Sequence, residues 1–147
     1  MLKKLIPSND KLLHEKIIKC SYNLDRGKLS YTLTENMFHH NGVGLSANQI
    51  GIRERAFVMI SDMESQDTLT CFNPKIVKES KEMVTMEEGC LSYPELYLDI
   101  TRPETIVVKY EDEGKSIFKR RLDGYIARIF QHEYDHMEGI DFTQRTK

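Results

Sequence analysis

Gln131-His132-Glu133-Tyr134-Asp135-His136 is the stretch on which the reading of this chain turns. Two histidines stand four apart, with a glutamate directly after the first. On a helix, residues four apart share one face, so both imidazoles can reach one metal ion. Glu133 then lies beside that ion, within reach of a proton on water held there. The pattern fits metal-activated hydrolysis, provided the stretch is helical and a third ligand exists.

The neighbouring residues predict a helix. Asp123-Gly124 offers a cap at its start, and Gly139 a stop just past His136. Tyr125, Ile129, His132 and His136 recur at spacings of four, three and four, which is one helical stripe, with Ile126, Phe130 and Glu133 flanking it. A histidine pair on a solvated helix would not need aromatic and branched apolar neighbours along its own stripe.

Upstream, Pro7-Ser8-Asn9-Asp10 predicts a short helical turn near Lys11 to Leu13. Asp25 caps a longer helix to about His40, with Leu29, Leu33, Met37 and Phe38 on its buried face and Asn41-Gly42 closing it. Strand patterns follow at Ala56 to Ile60 and at Leu69 to Phe72, which ends at Asn73-Pro74 before a resumption at Ile76-Val77. Thr105 to Tyr110 and Ser116 to Leu122 flank Glu111-Asp112-Glu113-Gly114, a hairpin signal. Strands grouped between helices, without βαβ alternation, predict an α+β fold. Its antiparallel sheets surround a central C-terminal helix carrying the HExxH motif, with further helices near the N-terminus.

At 147 residues the chain is sized for one domain, residues 1–147, with a real core. The net charge is −2 with acids and bases interspersed, which leaves no basic stripe for nucleic acid. No apolar run approaches membrane-spanning length, and Met1 to Pro7 lacks the apolar core of a secretion signal. Cys20, Cys71 and Cys90, odd in number and far apart, fit a reducing, cytoplasmic compartment.

A catalytic site of the zinc type takes three protein ligands and keeps one position open. Few residues follow His136, and Glu138 and Asp141 sit at or past the helix end, where joint ligation is awkward. The third ligand is therefore sought upstream. A free cysteine is most often a small buried hydrophobe, a reading that covers all three here. Only Cys90 has the setting of a ligand loop, with Gly89 before it, polar Ser92 behind it and Pro94 stopping regular structure.

Gly42-Val43-Gly44-Leu45-Ser46-Ala47-Asn48-Gln49 is glycine-rich but follows a helix, whereas a phosphate loop follows a strand, so nucleotide binding is poorly supported. It reads either as a turn from helix to strand or as backbone presented to an extended substrate. In the second case Gln49 donates to developing oxyanion charge.

In chain order, this segment, Glu88-Gly89-Cys90-Leu91-Ser92 and Gln131 to His136 resemble the G-x-G-L-A-A-x-Q, E-G-C-L-S and Q-H-E-x-D-H motifs of peptide deformylase. The resemblance runs from about Leu29 to Ile140. It departs at Ser46, where the family carries alanine. It departs again at the C-terminus, where many bacterial members continue into a further helix; the short end looks most like the phage-encoded kind.

The resemblance implies Cys90, His132 and His136 as metal ligands, Glu133 as general base and acid, and Gln49 with the Leu91 N–H as oxyanion donors. It implies substrate contacts at Val43, Gly44, Met86, Tyr125 and Ile129, with Gly44 acting through its backbone and the others bounding a pocket for a methionine side chain. Arg128, one step off that face, reads as a solvated residue or as the partner of an acid, the solvated reading being the simpler. The implied cofactor is one divalent metal ion, Fe²⁺ first, with nickel, cobalt or zinc as substitutes, because a His₂Cys set suits several ions. The implied reaction removes the formyl group from formyl-Met nascent peptides and releases formate, in bacterial or phage-infected cytoplasm. The short C-terminus implies weak or no ribosome docking, since it is too short for another stable helix. Two other readings stay open on the residues themselves. One is a zincin-type endopeptidase using a third ligand other than Cys90; the other is a catalytically dead, metal-stapled binding module, against which the intact Glu133 and Gln49 speak.

Overall fold

The computed structural model of the chain describes residues 1–146. Asp10 caps a 3₁₀ turn at Lys11–His14 by accepting from the Leu12 N–H at 2.9 Å. Helix α1, Arg26–His39, starts where the Asp25 side chain accepts from the Lys28 N–H. It ends with Asn41 in the left-handed region at φ 60°, while the Gly42 N–H bonds the Met37 carbonyl and the Asn41 N–H bonds that of Phe38. Those two bonds satisfy carbonyls that the helix end would otherwise orphan. Leu29, Leu33 and Met37 are buried, as their four-residue spacing predicts, but Phe38 is 45% exposed. One residue further on turns the side chain about 100° around the helix, off the buried stripe.

Seven strands follow among the described residues: β1 (Gly44–Ser46), β2 (Ala56–Asp62), β3 (Asp67–Glu79), β4 (Met83–Cys90), β5 (Tyr93–Pro103), β6 (Thr105–Glu111) and β7 (Ile117–Asp123). All pairings are antiparallel, in a five-stranded sheet of order β1-β2-β3-β6-β7 and a separate β4-β5 pair. The expected break at Asn73-Pro74 is instead a bulge within one long β3. Asn73 adopts φ 50° and the register shifts between Phe72 and Lys75, so the proline falls where the ladder is already open.

The irregular stretch expected around Cys90 is also corrected. Cys90 closes β4 and Pro94 is the second residue of β5, the two strands meeting through Leu91-Ser92. Exposed Glu87, Pro94 and Glu95 deprive this hairpin of apolar alternation, and a proline near a strand's start removes little from its ladder.

Helix α2, Gly124–Met137, lies across the five-stranded sheet on the face opposite α1. The alternation along β2 explains both contacts. Ala56, Val58 and Ile60 join Leu33 and Met37 of α1, while Phe57 and Met59 join Ala127, Ile129 and Phe130 of α2. The Phe57 and Phe130 rings meet edge to face at 5.1 Å. A strand buried on both faces reads as a continuous apolar run, which is how β2 appears in sequence. Asp123 occupies the position before α2 but makes no capping bond; its carboxylate takes Arg121 at 3.1 Å instead. Among the described residues no helix is long and apolar enough to cross a membrane.

Past α2 the chain turns at Gly139, φ 75°, where a Cβ would lie 2.7 Å from the Glu15 carbonyl carbon. Gly139→Ala therefore meets both an unfavourable backbone conformation and a backbone clash. It should cost roughly 1–3 kcal/mol, read as a lower urea midpoint with unchanged slope. A midpoint equal to the parent's would show that the Glu15 segment yields freely.

Candidate metal centre and substrate cleft

The stripe of α2 that faces the β4-β5 hairpin carries His132 and His136, and the end of β4 brings Cys90 to them. The three ligand atoms lie within 4.8 Å of one another, and Cys90 Sγ is 3.6 Å from His136 Nε2. A tetrahedral ion bound at about 2.3 Å to sulfur and about 2.0–2.1 Å to nitrogen needs those two atoms about 3.6 Å apart. The donor set thus fits one small divalent ion. Each imidazole turns Nε2 toward this point because Nδ1 is already engaged. His132 Nδ1 lies 2.9 Å from Glu88 Oε1, and His136 Nδ1 lies 3.0 Å from Ser46 Oγ and 3.1 Å from Glu133 Oε1. Such partners fix the ring orientation and the tautomer of a ligating histidine.

Glu88 is the buried hub behind this cluster. Arg102 approaches its carboxylate in bidentate fashion, Nε at 2.6 Å and Nη2 at 3.0 Å, and Arg128 Nη1 adds a third contact at 2.7 Å. Arg128 is therefore a buried partner of an acid rather than a solvated residue, and it also donates to the carbonyls of Val84 and Ile100. Arg102 continues to Asp135 at 2.8 Å, which Arg145 holds from the other side. Gln131 Nε2 donates to the Pro103 carbonyl at 3.0 Å. The sequence reading gave Glu88, Arg102, Gln131 and Asp135 no role. Gln131 and Asp135 stand four apart, so they form a second polar stripe beside the histidines, and that spacing was the available signal.

The electrostatics follow from these contacts. Burial pushes the Glu88 carboxyl up, but bonds from His132 and Arg102 outweigh it and hold the group well below the usual carboxylate range. Burial also raises the Cys90 thiol, yet His136 and His132 bring it down to about 6, which favours the thiolate that ligates metals. Burial lowers His132, and the Cys90 and Glu88 contacts reverse that and lift it to about 9.

A cavity of about 470 Å³ opens beside the cluster. Val43, Gly44, Leu91, Tyr125 and Ile129 line it, as do Gln49 and Glu133. Met86 does not. It is half-buried and pairs with Ile100, four residues down β4 from Cys90, a distance of about 13 Å along a strand. Tyr93, Leu96 and Tyr97, which the sequence reading passed over, supply apolar wall instead. A Cβ on Gly44 would lie 2.6 Å from Glu133 Oε2, so only glycine lets β1 run against that carboxylate. Gln49 Oε1 accepts from the Ser46 N–H at 3.0 Å, which turns Nε2 toward Ser92 Oγ at 2.9 Å and Cys90 Sγ at 3.7 Å.

Residues 2–147 match the family model described as polypeptide deformylase. Among curated proteins, peptide deformylase of Thermotoga neapolitana is 41% identical over 115 residues, covering 78% of this chain and 68% of that protein. The Synechocystis enzyme is 40% identical over 120 residues, covering 80% and 64%. The chain thus spans about two thirds of the length of these relatives. The crystal structure of peptide deformylase from Thermotoga maritima superposes with a TM-score of 0.92 at 33% identity, covering 100% of this chain and 99% of that one. A Met-Ala-Ser-bound class I type b peptide deformylase from Acinetobacter baumannii gives 0.90 at 29% identity, covering 99% and 98%.

Glu88→Gln should leave His132 an acceptor but remove the charge that holds it, weakening metal affinity by about 10- to 100-fold in a chelator competition. It also leaves the buried Arg128 guanidinium without its carboxylate, while Arg102 keeps Asp135, so stability should fall by roughly 3–5 kcal/mol. Parental metal affinity in a folded Glu88→Gln chain would show that the ligand needs no carboxylate behind it.

Proposed function

This chain belongs to the polypeptide deformylase family, and from that premise we propose that residues 1–147 act as one catalytic domain that hydrolyses the N-formyl group from formyl-methionyl peptides. The observation carrying this reading is the convergence of Cys90, His132 and His136 beside Glu133 and Gln49 in the cleft. Cys90 Sγ and the two Nε2 atoms are proposed to hold one divalent ion, Fe²⁺ by preference, with nickel, cobalt or zinc able to replace it. When bound, such an ion polarises a carbonyl and makes water nucleophilic near neutral pH.

The chain's own groups do the rest. β1 is an edge strand of the sheet, so an extended peptide can lie along its free edge and bring its formyl end to Glu133. Val43, Tyr125 and Ile129 bound the space for the first side chain, and their apolar surface favours methionine over an acidic residue. Glu133 takes a proton from the attacking water and later gives it to the departing amine. Gln49 Nε2–H and the Leu91 N–H donate to the formyl oxygen as its charge grows, each worth about 100- to 1,000-fold in rate. Water adds to the formyl carbon, the C–N bond breaks, and formate leaves beside a free N-terminus. Formylated chains emerge in the cytoplasm, and three free cysteines suit that compartment.

Formyl-Met-Ala-Ser should release formate, and a chelator should abolish the release. Cleavage of internal peptide bonds without formate would favour an endopeptidase, and binding without turnover an inert module. Glu133→Gln should retain the metal and lose at least about 100-fold in kcat; rapid turnover by that variant would remove Glu133 from its role. Replacing the first residue by aspartate should slow the reaction strongly, and equal rates would contradict the pocket assignment.

A further inference from the structure

Ser46 is fully buried at the end of β1, and its hydroxyl stands where three side chains meet. Oγ lies 2.6 Å from Asn48 Oδ1, 3.0 Å from His136 Nδ1 and 3.2 Å from Gln49 Oε1. Valence assigns the direction of each bond. Asn48 Nδ2–H donates to the His136 backbone carbonyl at 3.0 Å, so the amide must turn its oxygen toward Ser46. A hydroxyl has one proton, and the shorter oxygen contact receives it, so Ser46 donates to Asn48. The serine oxygen is left to accept, and the His136 Nδ1–H is the donor that fits. A histidine ligating through Nε2 carries its proton on Nδ1. The bonds close a loop from the His136 ring through Ser46 and Asn48 back to the His136 backbone.

That same Nδ1–H has a second acceptor in reach, Glu133 Oε1 at 3.1 Å. One N–H cannot serve both fully. Resting on the deformylase reading, we propose that Ser46 is a positioning residue: its hydroxyl accepts the His136 Nδ1–H and anchors the ring through Asn48, leaving the Glu133 carboxylate free for water in the cleft. Alanine, which the family motif carries here, fits the same space but accepts nothing. In an alanine variant the Nδ1–H falls to Glu133 alone, and a carboxylate committed to the ring is a weaker base toward water.

The test uses the full chain in its metal-loaded form. Ser46→Ala should lower kcat by about 10-fold with little change in KM. Its cobalt should leave for excess chelator at nearly the parental rate, because Glu133 takes over as acceptor. Combined with Glu133→Ala, which removes that substitute, Ser46→Ala should speed cobalt loss by about 10-fold or more, so the two effects should not simply multiply. Unchanged kcat, or cobalt-loss rates that combine independently, would overturn the proposal. A readout on the unmutated protein stands beside these. In a zinc-loaded, ¹⁵N-histidine sample, His136 Nδ1 should carry a proton protected from solvent exchange, and a bare Nδ1 would overturn the bond direction. Neither cobalt release nor the ring proton involves a formyl peptide, so failure of the deformylase reading would leave both readouts standing.

Discussion

A carboxylate with almost no access to water is tolerable only when its charge is matched at close range, and Glu88 is matched on three sides. Arg102 and Arg128 hold it from β5 and α2, and His132 completes the shell. These contacts tie together elements that share no sheet. β4 and β5 pair only with each other, and α2 packs on the five-stranded sheet, so the guanidiniums, together with the Gln131 bond to the Pro103 carbonyl and the packing of Phe142 on Ile100, bridge the two layers. The geometry around His132 is thus inherited from an ion network whose members lie far apart in sequence.

That network explains the spacing of residues between the histidines and around them. Gln131 and Asp135 point away from the ligand cluster, to the Pro103 carbonyl and to Arg102 with Arg145. The stripe carrying His132 and His136 is turned inward because the adjacent stripe is fastened to β5. Ser46 and Asn48 play the matching part for His136 from the β1 side. Two ligands on one helix are in this way braced from two different directions.

What the sequence revealed followed from whether a signal was local. Helical spacing in α2 and the cap at Asp25 act over a few residues, and both helices lie where their residues predict. The β6-β7 hairpin was legible for the same reason. The β4-β5 hairpin was not, because its side chains answer to the ion network and the cleft rather than to an apolar face. Cys90 could be singled out from its flanking glycine, but Arg128 could not be placed correctly. An arginine beside a buried stripe looks solvated until its acid, 40 residues earlier, is known to be buried too. Met86, placed in the pocket by the family resemblance alone, stands outside the cleft lining because the extended strand carries it about 13 Å from Cys90.

Every residue from Ala127 to Met137 except Tyr134 is buried, while β7 just before it exposes most of its side chains, including Lys119, Arg120 and Arg121. Adjacent segments of one chain therefore stand at opposite ends of mutational freedom. On α2 nearly any replacement disturbs a ligand, an ion pair or a packed ring, so drift there is closed even at positions that never meet substrate. On β7 the charge and shape of the outer face can change with small effect on stability. Solubility, surface charge and crowding tolerance in this protein are free to adapt along that strand without reaching the chemistry that begins a few residues later.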